Sequence, residues 1–501
     1  MKRVLTTLIL AAALVSCHKD VIETTDEPVD TSALANDDPE EVQGEEDLIS
    51  GVTFDKTITI SWTESGVSIE GDETGIVSAD GTFVTADNGQ SQDIVRYCLK
   101  GSSSNGRFKL YGVRKQAIVL QGLNLTNKTG AAINNQSKKR TFVVLEGDNF
   151  LSDGPSYTGT PETEDEKAAF FSEGQLVFSG GGTVSEQVIT NGSTTTEYTG
   201  AAGIKADSTF VMTGGVLTVA SSGQGGKGIS GDQKAFFKGG SVKVTVTGSN
   251  LSSGTKGPGG PGGGGPGGGG PGGGPGGSTG NLKSAKGIKF DGDVTVSGGS
   301  IEVSASNHEA FETKGKLTVS GGTLYAFSSS DDAINSAGDM TLSGGYVCGW
   351  STGNDGIDAN GNLYVDDACV YAVTTKGSPE VAVDANTEGG KKLYVKSGTL
   401  IAVGGLESGA SITGSAYSAS SWSKNSWHTL YDSSSKAVIS FKTPSSGNSL
   451  VVYSGGKSAS LKSGTSVSSE GAIWGGNGST DSSASGGSAV TLSSYSSNSR
   501  W

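Results

Sequence analysis

Residues 287 to 355 hold three consecutive copies of one 23-residue segment: GIKFDGDVTVSGGSIEVSASNHE (287–309), AFETKGKLTVSGGTLYAFSSSDD (310–332) and AINSAGDMTLSGGYVCGWSTGND (333–355). A fourth copy begins at Gly356. Each copy opens on a small residue followed by an aliphatic or aromatic one, and continues with runs in which apolar and polar residues alternate around glycine corners. A period this short indicates a solenoid whose copies stack on one another. The alternation predicts three short strands per copy.

The residue types in these copies decide which solenoid they form. The copies are rich in Gly, Ser, Thr and Val, whereas helical and leucine-rich repeats require helix formers or a leucine framework. Looser copies begin near Ala169, Gly203, Gly228 and Ala382. We therefore predict an all-β protein whose residues 51–403 form a parallel β-helix with rungs of about 23 residues.

Two segments interrupt or follow the repeats. Residues 254–280 are mostly Gly and Pro without the triplet period of collagen, which predicts a loop that leaves one corner of the solenoid. After residue 403 the period stops, and serine and aromatic residues become frequent. Because the last rung of a solenoid exposes unpaired backbone groups, we predict that residues 404–501 form a C-terminal β cap.

The N-terminus has the form of a bacterial lipoprotein signal. Lys2 and Arg3 precede an apolar run that ends at Ser16 and Cys17 and is too short to span a membrane. Residues 1–17 are therefore predicted to be a signal peptide, and Cys17 the lipid-anchored first residue of an outer membrane lipoprotein. An ordinary secretory signal with an incidental cysteine is the alternative. The pair Lys19-Asp20 resembles the export signal of surface lipoproteins in Bacteroidetes, so we expect exposure on the cell surface, with the periplasmic face as the alternative.

Negative charge is concentrated between the signal and the repeats. Residues 18–50 hold 12 acidic residues and one lysine, which predicts a disordered, solvated tether. Of the formal net charge of −15, only −6 remains for residues 51–501. Since no basic stripe is present to neutralise phosphates, nucleic acid is not an expected partner. We expect the protein to be a monomer.

Acidic and amide side chains recur at fixed places in the copies. Successive rungs stack about 4.8 Å apart, so carboxylates at the same place would repel one another unless a cation lay between them. Oxygen ligands at this spacing suit Ca²⁺, and we predict calcium as the cofactor. Zinc is not expected, because the chain has only three histidines. The alternative is that these residues sit at a tight turn, where Asp and Asn are favoured for local hydrogen bonds. The candidate metal ligands are Glu309, Glu312, Asp331, Asp332, Asn335, Asn354, Asp355, Asp358 and Asp384.

A row of aromatic residues is predicted on the outward side of the third strand of each copy. Aromatic faces stack on the C–H faces of sugar rings, which makes this row a candidate polysaccharide-binding surface. The alternative is that residues 404–501 pack against the same apolar strip. The candidate ligand-binding residues are Tyr325, Phe327, Tyr346, Trp350 and Tyr371.

Signals for catalysis are weak. The sequence has no nucleophile elbow in a strand-turn-helix context and no phosphate-binding loop. One enzymatic alternative is a polysaccharide lyase, in which calcium acidifies the proton next to a uronate carboxylate and Lys289 removes that proton. Nearby acids should raise the pKa of Lys289, which argues for an ion pair and against a base. We therefore do not expect an enzyme.

Three parts of the sequence resemble a known family. They are residues 118–126 with 131–134, residues 144–157 with the run Asp-Asn-Phe-Leu-Ser-Asp-Gly, and the Gly-Ile-Lys rungs that a Gly/Pro insert interrupts. Together they are similar to the extracellular carbohydrate-binding family of right-handed parallel β-helix proteins known from clostridial cellulose degraders. The resemblance implies a right-handed, lyase-like β-helix, bound calcium, and affinity for cellulose or acidic, pectin-like polysaccharide. It matches a metal-binding pattern only at Asp332, Asp355, Asp358 and Asp384.

These inferences combine into one functional hypothesis and two alternatives. The hypothesis is a cell-surface lipoprotein that binds polysaccharide through a calcium-containing β-helix. The first alternative is a calcium-dependent polysaccharide lyase. The second is a structural or adhesive surface protein without a glycan ligand.

Overall fold

The computed structural model describes residues 48–155, 157, 164–188, 201–251, 283–481 and 483–497. This part of the chain is all-β, with two short 3-10 helices (Ile49–Gly51 and Trp474–Gly476) and no α-helix. No helix within it is long and apolar enough to cross a membrane. The predicted signal peptide (1–17), nearly all of the predicted tether (18–50), and all of the Gly/Pro insert (254–280) lie outside the described residues.

Each repeat places one strand in each of three columns, which we name A, B and C in chain order. Within a column, each strand pairs in parallel with the strand at the same place in the next repeat. Columns B and C belong to one 26-stranded sheet, which also contains Lys56–Thr63, Gly66–Glu70, Val95–Ser103 and Gln116–Thr126. Column A is a separate 12-stranded sheet that starts with one antiparallel pair.

The strand bounds follow the 23-residue period from residue 288 to residue 374. Column A contains Val77–Asp80, Phe83–Asn88, Arg107–Gly112, Ile133–Asn135, Ala168–Ser172, Ala202–Ala206, Lys227–Gly231, Ile288–Phe290, Phe311–Thr313, Ile334–Ser336, Ile357–Ala359 and Val383–Ala385. Column B contains Thr141–Glu146, Leu176–Gly180, Phe210–Met212, Ala235–Phe237, Val294–Val296, Leu317–Val319, Met340–Leu342, Leu363–Val365, Leu393–Val395 and Ser411–Ile412. Column C contains Asp148–Ser152, Thr183–Val188, Val216–Ser221, Ser241–Val246, Ser300–Ala305, Thr323–Ser328, Tyr346–Ser351, Cys369–Thr374 and Thr399–Val403.

Glycine corners and inward apolar residues explain why these segments form these strands. The second glycine of the Ser-Gly-Gly corner, as at Gly322, has a φ of 73°, and a Cβ atom there would lie 2.7 Å from backbone atoms of the preceding rung. A larger residue would therefore strain the corner. Alternate residues of each strand, such as Leu324 and Ala326, are fully buried in one continuous core. Phenylalanines stack within that core, with ring centroids of Phe210 and Phe237 5.5 Å apart.

Repeat length varies mainly at one place, the link from a column C strand to the next column A strand. Regular links, such as the one from Ser328 to Ile334, contain five residues. The links that begin after Ser152, Val188, Val246 and Thr374 are all longer, and the Gly/Pro insert belongs to the third of them. The strands on either side keep their register across the longer links.

The segment that carries the family resemblance, residues 148–154, has structural contacts. Leu151 is fully buried in the core. The side-chain oxygen of Asn149 accepts a hydrogen bond from the backbone N–H of Leu123 at 2.8 Å, and a carboxylate oxygen of Asp153 accepts one from the Tyr157 hydroxyl at 2.7 Å. These contacts join neighbouring strands and a buried tyrosine, so the motif stabilises the rungs.

Beyond column C the chain becomes antiparallel. Leu450–Ser454 pairs antiparallel with Thr399–Val403, the last strand of column C, and Ala416–Ala419 and Ser493–Tyr495 extend the same sheet. A second, six-stranded antiparallel sheet, which we name the terminal sheet, packs on the outer face of column C. Its strands are Ala472–Ile473, Gly478–Ser479, Ala437–Lys442, Trp427–Tyr431, Ser460–Ser466 and Ser485–Val490.

Candidate functional site

In successive rungs, the link from column C to column A and the column A strand that follows it carry acidic residues. We name this edge of the molecule, from the rung of His308 to that of Glu407, the acidic corner. A ladder of hydroxyl groups fixes its backbone. Ser328 Oγ donates to the carbonyl oxygen of His308 at 2.9 Å, Ser351 Oγ donates to that of Asp331 at 2.6 Å, and the Thr374 hydroxyl donates to that of Asn354 at 2.6 Å. His308, Asp331 and Asn354 therefore occupy the same place on successive rungs.

The middle residues of successive column A strands form a row of acidic and amide side chains. Glu312, Asn335, Asp358 and Asp384 are Cα partners from rung to rung. A further bridge pairs Val383 with Leu406, so Glu407 is the next member of this row. Glu407 was not among the predicted ligands, because the solenoid was predicted to end at residue 403. The signal was nevertheless present, since Gly405-Leu406-Glu407 follows Ala382-Val383-Asp384 by 23 residues.

Lysines neutralise the upstream end of the acidic corner. Lys286 Nζ contacts one carboxylate oxygen of Glu312 and lies 3.1 Å from Glu309, while Lys314 contacts the other oxygen of Glu312. Burial favours the neutral acid, but the charges of these two lysines outweigh it and lower the pKa of Glu312. Glu312 is therefore an ionised carboxylate that already has two cationic partners.

Amide groups hold the middle of the corner together. Asn335 donates to Asp332 Oδ2 at 2.9 Å and to Asp358 Oδ2 at 2.8 Å, and Asn354 donates to Asp332 Oδ1 at 2.7 Å. Burial raises the pKa of Asp332 to about 6 despite these hydrogen bonds. The predicted ligands Asp332, Asn335, Asn354 and Asp358 are thus brought together across two rungs.

The downstream end of the corner holds carboxylates without a basic partner. Burial, followed by the charge of neighbouring carboxylates, raises the pKa of Asp355 to about 8 and that of Asp358 to about 7. Burial and a hydrogen bond with Glu407 raise the pKa of Asp384 to about 9. In the described part of the chain, no lysine or arginine forms an ion pair with these three aspartates. The negative charge that these aspartates carry when they are ionised is therefore not paired with a cationic side chain.

A cavity of about 620 Å³ opens beside these aspartates. The charged residues that line it are Asp355, Glu380, Asp384, Glu388, Lys391, Lys392 and Glu407. The donor set is made of carboxylate oxygens, which are the ligands that Ca²⁺ prefers. The residues present at this end of the corner fit a hard divalent cation.

A second cavity, of about 360 Å³, lies between column C and the terminal sheet, and we name it the aromatic cavity. Tyr325, Phe327 and Trp350 form its floor, and each is half-buried. The opposite side presents polar groups of Asn425, Lys442 and Asn477. Three of the five predicted ligand-binding aromatics therefore face an open cavity.

The other two predicted aromatics are covered by the terminal sheet. Tyr371 is fully buried, and its hydroxyl donates to the carbonyl oxygen of Lys442 at 2.9 Å. Tyr346 packs against Trp474 with ring centroids 6.5 Å apart. Tyr371 is therefore not available to a ligand. The terminal sheet covers one part of the predicted aromatic row, and the other part faces the aromatic cavity.

A loop lies between the two cavities and contributes to the lining of both. Thr375 lines both the aromatic cavity and a small cavity of about 160 Å³, while Pro379 and Glu380 line both that small cavity and the cavity of the acidic corner. The loop from Thr375 to Glu380 thus separates the aromatic side chains from the uncompensated carboxylates.

Lys289, the base of the lyase alternative, has an acidic partner. Its Nζ contacts a carboxylate oxygen of Asp291, and its Cα pairs with that of Glu312 on the next rung. The Lys289 side chain would have to leave Asp291 before it could reach a substrate. The arrangement does not favour the lyase alternative.

Comparisons with known proteins identify relatives of this sequence. A family model described as "carbohydrate-binding domain-containing protein" matches residues 71–256 and 186–333, which together span more than half of the 501 residues. No curated protein matches the chain. Among solved structures, a polysaccharide lyase-like protein from C. thermocellum, determined as a gadolinium derivative, aligns with 71% of this chain and 99% of its own, at 16% identity and a TM-score of 0.34.

Proposed function

Because the chain belongs to the family of carbohydrate-binding domain-containing proteins, we propose that it binds polysaccharide in the aromatic cavity. The observation that carries this proposal is the set of three half-buried aromatic side chains, Tyr325, Phe327 and Trp350, on the floor of an open cavity. Sugar rings stack on such side chains, and amide and ammonium groups on the opposite side bind sugar hydroxyls. Cellulose and acidic, pectin-like glycans are the ligand classes proposed.

Trp350→Ala is expected to weaken polysaccharide binding by about tenfold or more, because a stacked aromatic side chain contributes at least about 1.4 kcal/mol through burial and ring contacts. Binding to a glycan array that contains cellulose oligosaccharides and oligogalacturonates measures the effect. Ultraviolet absorbance of oligogalacturonate incubated with the protein in solution tests cleavage separately, since a lyase would release unsaturated products.

Tyr364→Ala is the matched control for this substitution. Tyr364 is also an outward, half-buried aromatic residue, but it lies in column B, where its ring stacks on that of Tyr394 at 5.1 Å. It is expected to leave binding unchanged. Loss of binding in Tyr364→Ala with retention in Trp350→Ala would move the ligand to another face. Absence of any glycan ligand would favour a structural or adhesive role.

We propose calcium as the cofactor of the acidic corner. The support is the uncompensated charge of Asp355, Asp358 and Asp384, whose pKa values all lie far above those of ordinary aspartates. Glu380 and Glu407 add oxygen atoms at the same cavity. When bound, calcium supplies positive charge that stabilises these carboxylates and offers coordination positions to a carboxylate or hydroxyl of the glycan.

We propose that columns A, B and C close into a right-handed parallel β-helix. Parallel strands joined by a crossover connection within one sheet are right-handed in about 98% of cases. The three strands per 23-residue repeat and their parallel register support a coil of this kind. The acidic corner then follows one edge of the helix from rung to rung.

We propose that a lipid on Cys17 anchors the protein in the outer membrane, facing the cell surface. The support is the signal-like sequence before Cys17 and the acidic segment after it. Cys17→Ala is expected to move the protein from the membrane fraction to the soluble fraction, whereas Cys98→Ala should leave it with the membrane. Protease added to whole cells then tests the orientation, and complete protection of the anchored protein would place it on the periplasmic side.

A further inference from the structure

A histidine lies between two carboxylates at the upstream end of the acidic corner. His308 Nδ1 is 2.9 Å from Asp331 Oδ2 and also contacts Glu309 Oε2. One ligand atom from each of the three residues lies within 4.8 Å of the other two. We propose that His308, Glu309 and Asp331 form a site for a divalent transition metal such as Zn²⁺, distinct from the calcium ligands downstream.

The surrounding hydrogen bonds hold the backbone at His308 and the side chain of Asp331 in place. Ser328 fixes the carbonyl oxygen of His308, and the neighbouring Asn307 donates its side-chain amide to the carbonyl oxygen of Gly248 at 2.9 Å. Asp331 Oδ1 accepts from the backbone N–H of Asp332 at 3.0 Å, which leaves its other oxygen directed at His308. The site therefore joins two rungs on a fixed backbone, which reduces the ordering cost of binding a metal.

The donor atoms determine the class of metal. One imidazole nitrogen with two carboxylate oxygens suits borderline ions such as Zn²⁺ and Co²⁺, whereas Ca²⁺ takes oxygen ligands in larger number. Three protein ligands leave room for a water molecule or a ligand atom. A neutral imidazole and two carboxylates also balance the charge of a divalent ion.

Lys286 is the competing partner in this arrangement. Its Nζ lies 3.1 Å from Glu309 Oε2, the oxygen that His308 also contacts. The same Nζ is paired with Glu312, so Lys286 keeps an acidic partner when a metal displaces it from Glu309. A protonated His308 that merely forms ion pairs with Glu309 and Asp331 is the arrangement against which the proposal is tested.

Zinc titration of the full-length protein, prepared without a polyhistidine tag and saturated with calcium, tests the proposal by calorimetry. We expect one Zn²⁺ ion to bind per chain, and this binding to require His308. Co²⁺ bound at the same site should show the visible absorption bands of an ion with nitrogen and oxygen ligands. His308→Ala should weaken zinc binding by at least about tenfold, because even outer partners of metal ligands change affinity by about 10- to 100-fold. The Co²⁺ bands should disappear in the same variant.

Two controls separate this site from the calcium site. His308→Ala should retain the calcium-dependent rise in melting temperature, which also shows that the variant is folded. Asp358→Asn should keep the zinc isotherm, since Asp358 lies outside the triad. Unchanged zinc binding in His308→Ala would overturn the proposal. Loss of zinc binding in the unmodified protein at saturating calcium would do so too, because calcium would then occupy the same carboxylates.

Discussion

Calcium is expected to raise the melting temperature of the full-length protein, and the increase is expected to grow with pH. A ligand that binds only the folded state stabilises it by about 2.7 kcal/mol at a hundredfold excess over its dissociation constant. The increase reflects compensation of Asp355, Asp358 and Asp384, which have no basic partner among the described residues. Differential scanning calorimetry in calcium and in chelator measures the increase.

The pH dependence follows from the direction of the pKa shifts in the calcium-free protein. Burial and mutual repulsion raise the pKa values of these aspartates to between about 7 and about 9, above the ordinary value of 3.8. The folded state therefore binds more protons than the unfolded state once the pH exceeds about 4. Without calcium, the stability that these three carboxyls contribute is greatest at low pH and is lost as the pH rises through their folded-state pKa values. Each titrating carboxyl contributes up to about 1.4 kcal/mol per pH unit.

Asp358→Asn is the variant that isolates the charge at this place. It removes one negative charge at nearly constant shape, so it should reduce the calcium increment. It should also flatten the decline of calcium-free stability between about pH 4 and about pH 7, the unfolded and folded pKa values of Asp358. Asp291→Ala, at a half-exposed carboxylate paired with Lys289 on an upstream rung, should do neither. If chelator leaves the melting curve of the unmodified protein unchanged at pH 8, the acids are turn residues.

Trp474→Ala is expected to lower the free energy of unfolding by about 3 to 5 kcal/mol, the range for deletion of a large buried aromatic side chain. Trp474 is almost fully buried between the terminal sheet and column C, with its ring centroid 5.7 Å from that of Tyr371 and 6.5 Å from that of Tyr346. Its backbone lies in the left-handed region, with a φ of 56°, which costs about 1 to 3 kcal/mol for a non-glycine residue. The packing of the side chain has to offset this strain.

Urea titration followed by far-ultraviolet circular dichroism, together with limited proteolysis of residues 404–501, measures the loss. Trp474→Phe should cost much less, since the indole N–H is buried without an acceptor and its removal breaks no hydrogen bond. Trp427→Ala, at a half-buried tryptophan of the same sheet, should also cost less. Equal effects at Trp474 and Trp427 would show that the terminal sheet does not depend on this contact.

The register of the rungs could be read from the sequence because glycine corners impose it. A Cβ atom at Gly322 or at Gly345 would lie within 2.7 Å of the preceding rung, so each corner stacks on the one before it, and the period is kept without gaps from Gly287 to Gly356. The candidate ligands Glu312, Asn335, Asp358 and Asp384 occupy the same position in successive copies of the sequence, and they are Cα partners on successive rungs of the structure.

The limits of the site were harder to predict, for physical reasons that differ from residue to residue. Glu407 follows the period, but its rung has only a short strand after it, so the pattern of three strands is lost there. Lys286, which neutralises Glu312, occupies the position that Glu309 and Asp332 occupy in the next two copies, but the period alone does not show that its ammonium group reaches Glu312. His308 was set aside as one of few histidines, although it precedes Asp331 by one period.

The division of the aromatic strip could not be predicted from the repeats. Tyr325 and Tyr371 occupy equivalent positions two rungs apart, and both face outward from column C. Only the docking of the terminal sheet distinguishes them, since it covers Tyr371 and leaves Tyr325 at the aromatic cavity. That contact joins residues more than 70 positions apart and follows no period.

Variable links that all fall between column C and column A bear on how this protein diversifies in evolution. Added chain after Ser152, Val188, Val246 or Thr374 leaves the strands on both sides in register, so insertions there do not disturb folding. The link after Thr374 borders both the acidic corner and the aromatic cavity, and the link after Val246 contains Lys286, beside Glu309 and Glu312. Selection can therefore alter ligand preference by lengthening or shortening one edge of the molecule, while the inherited scaffold stays constant.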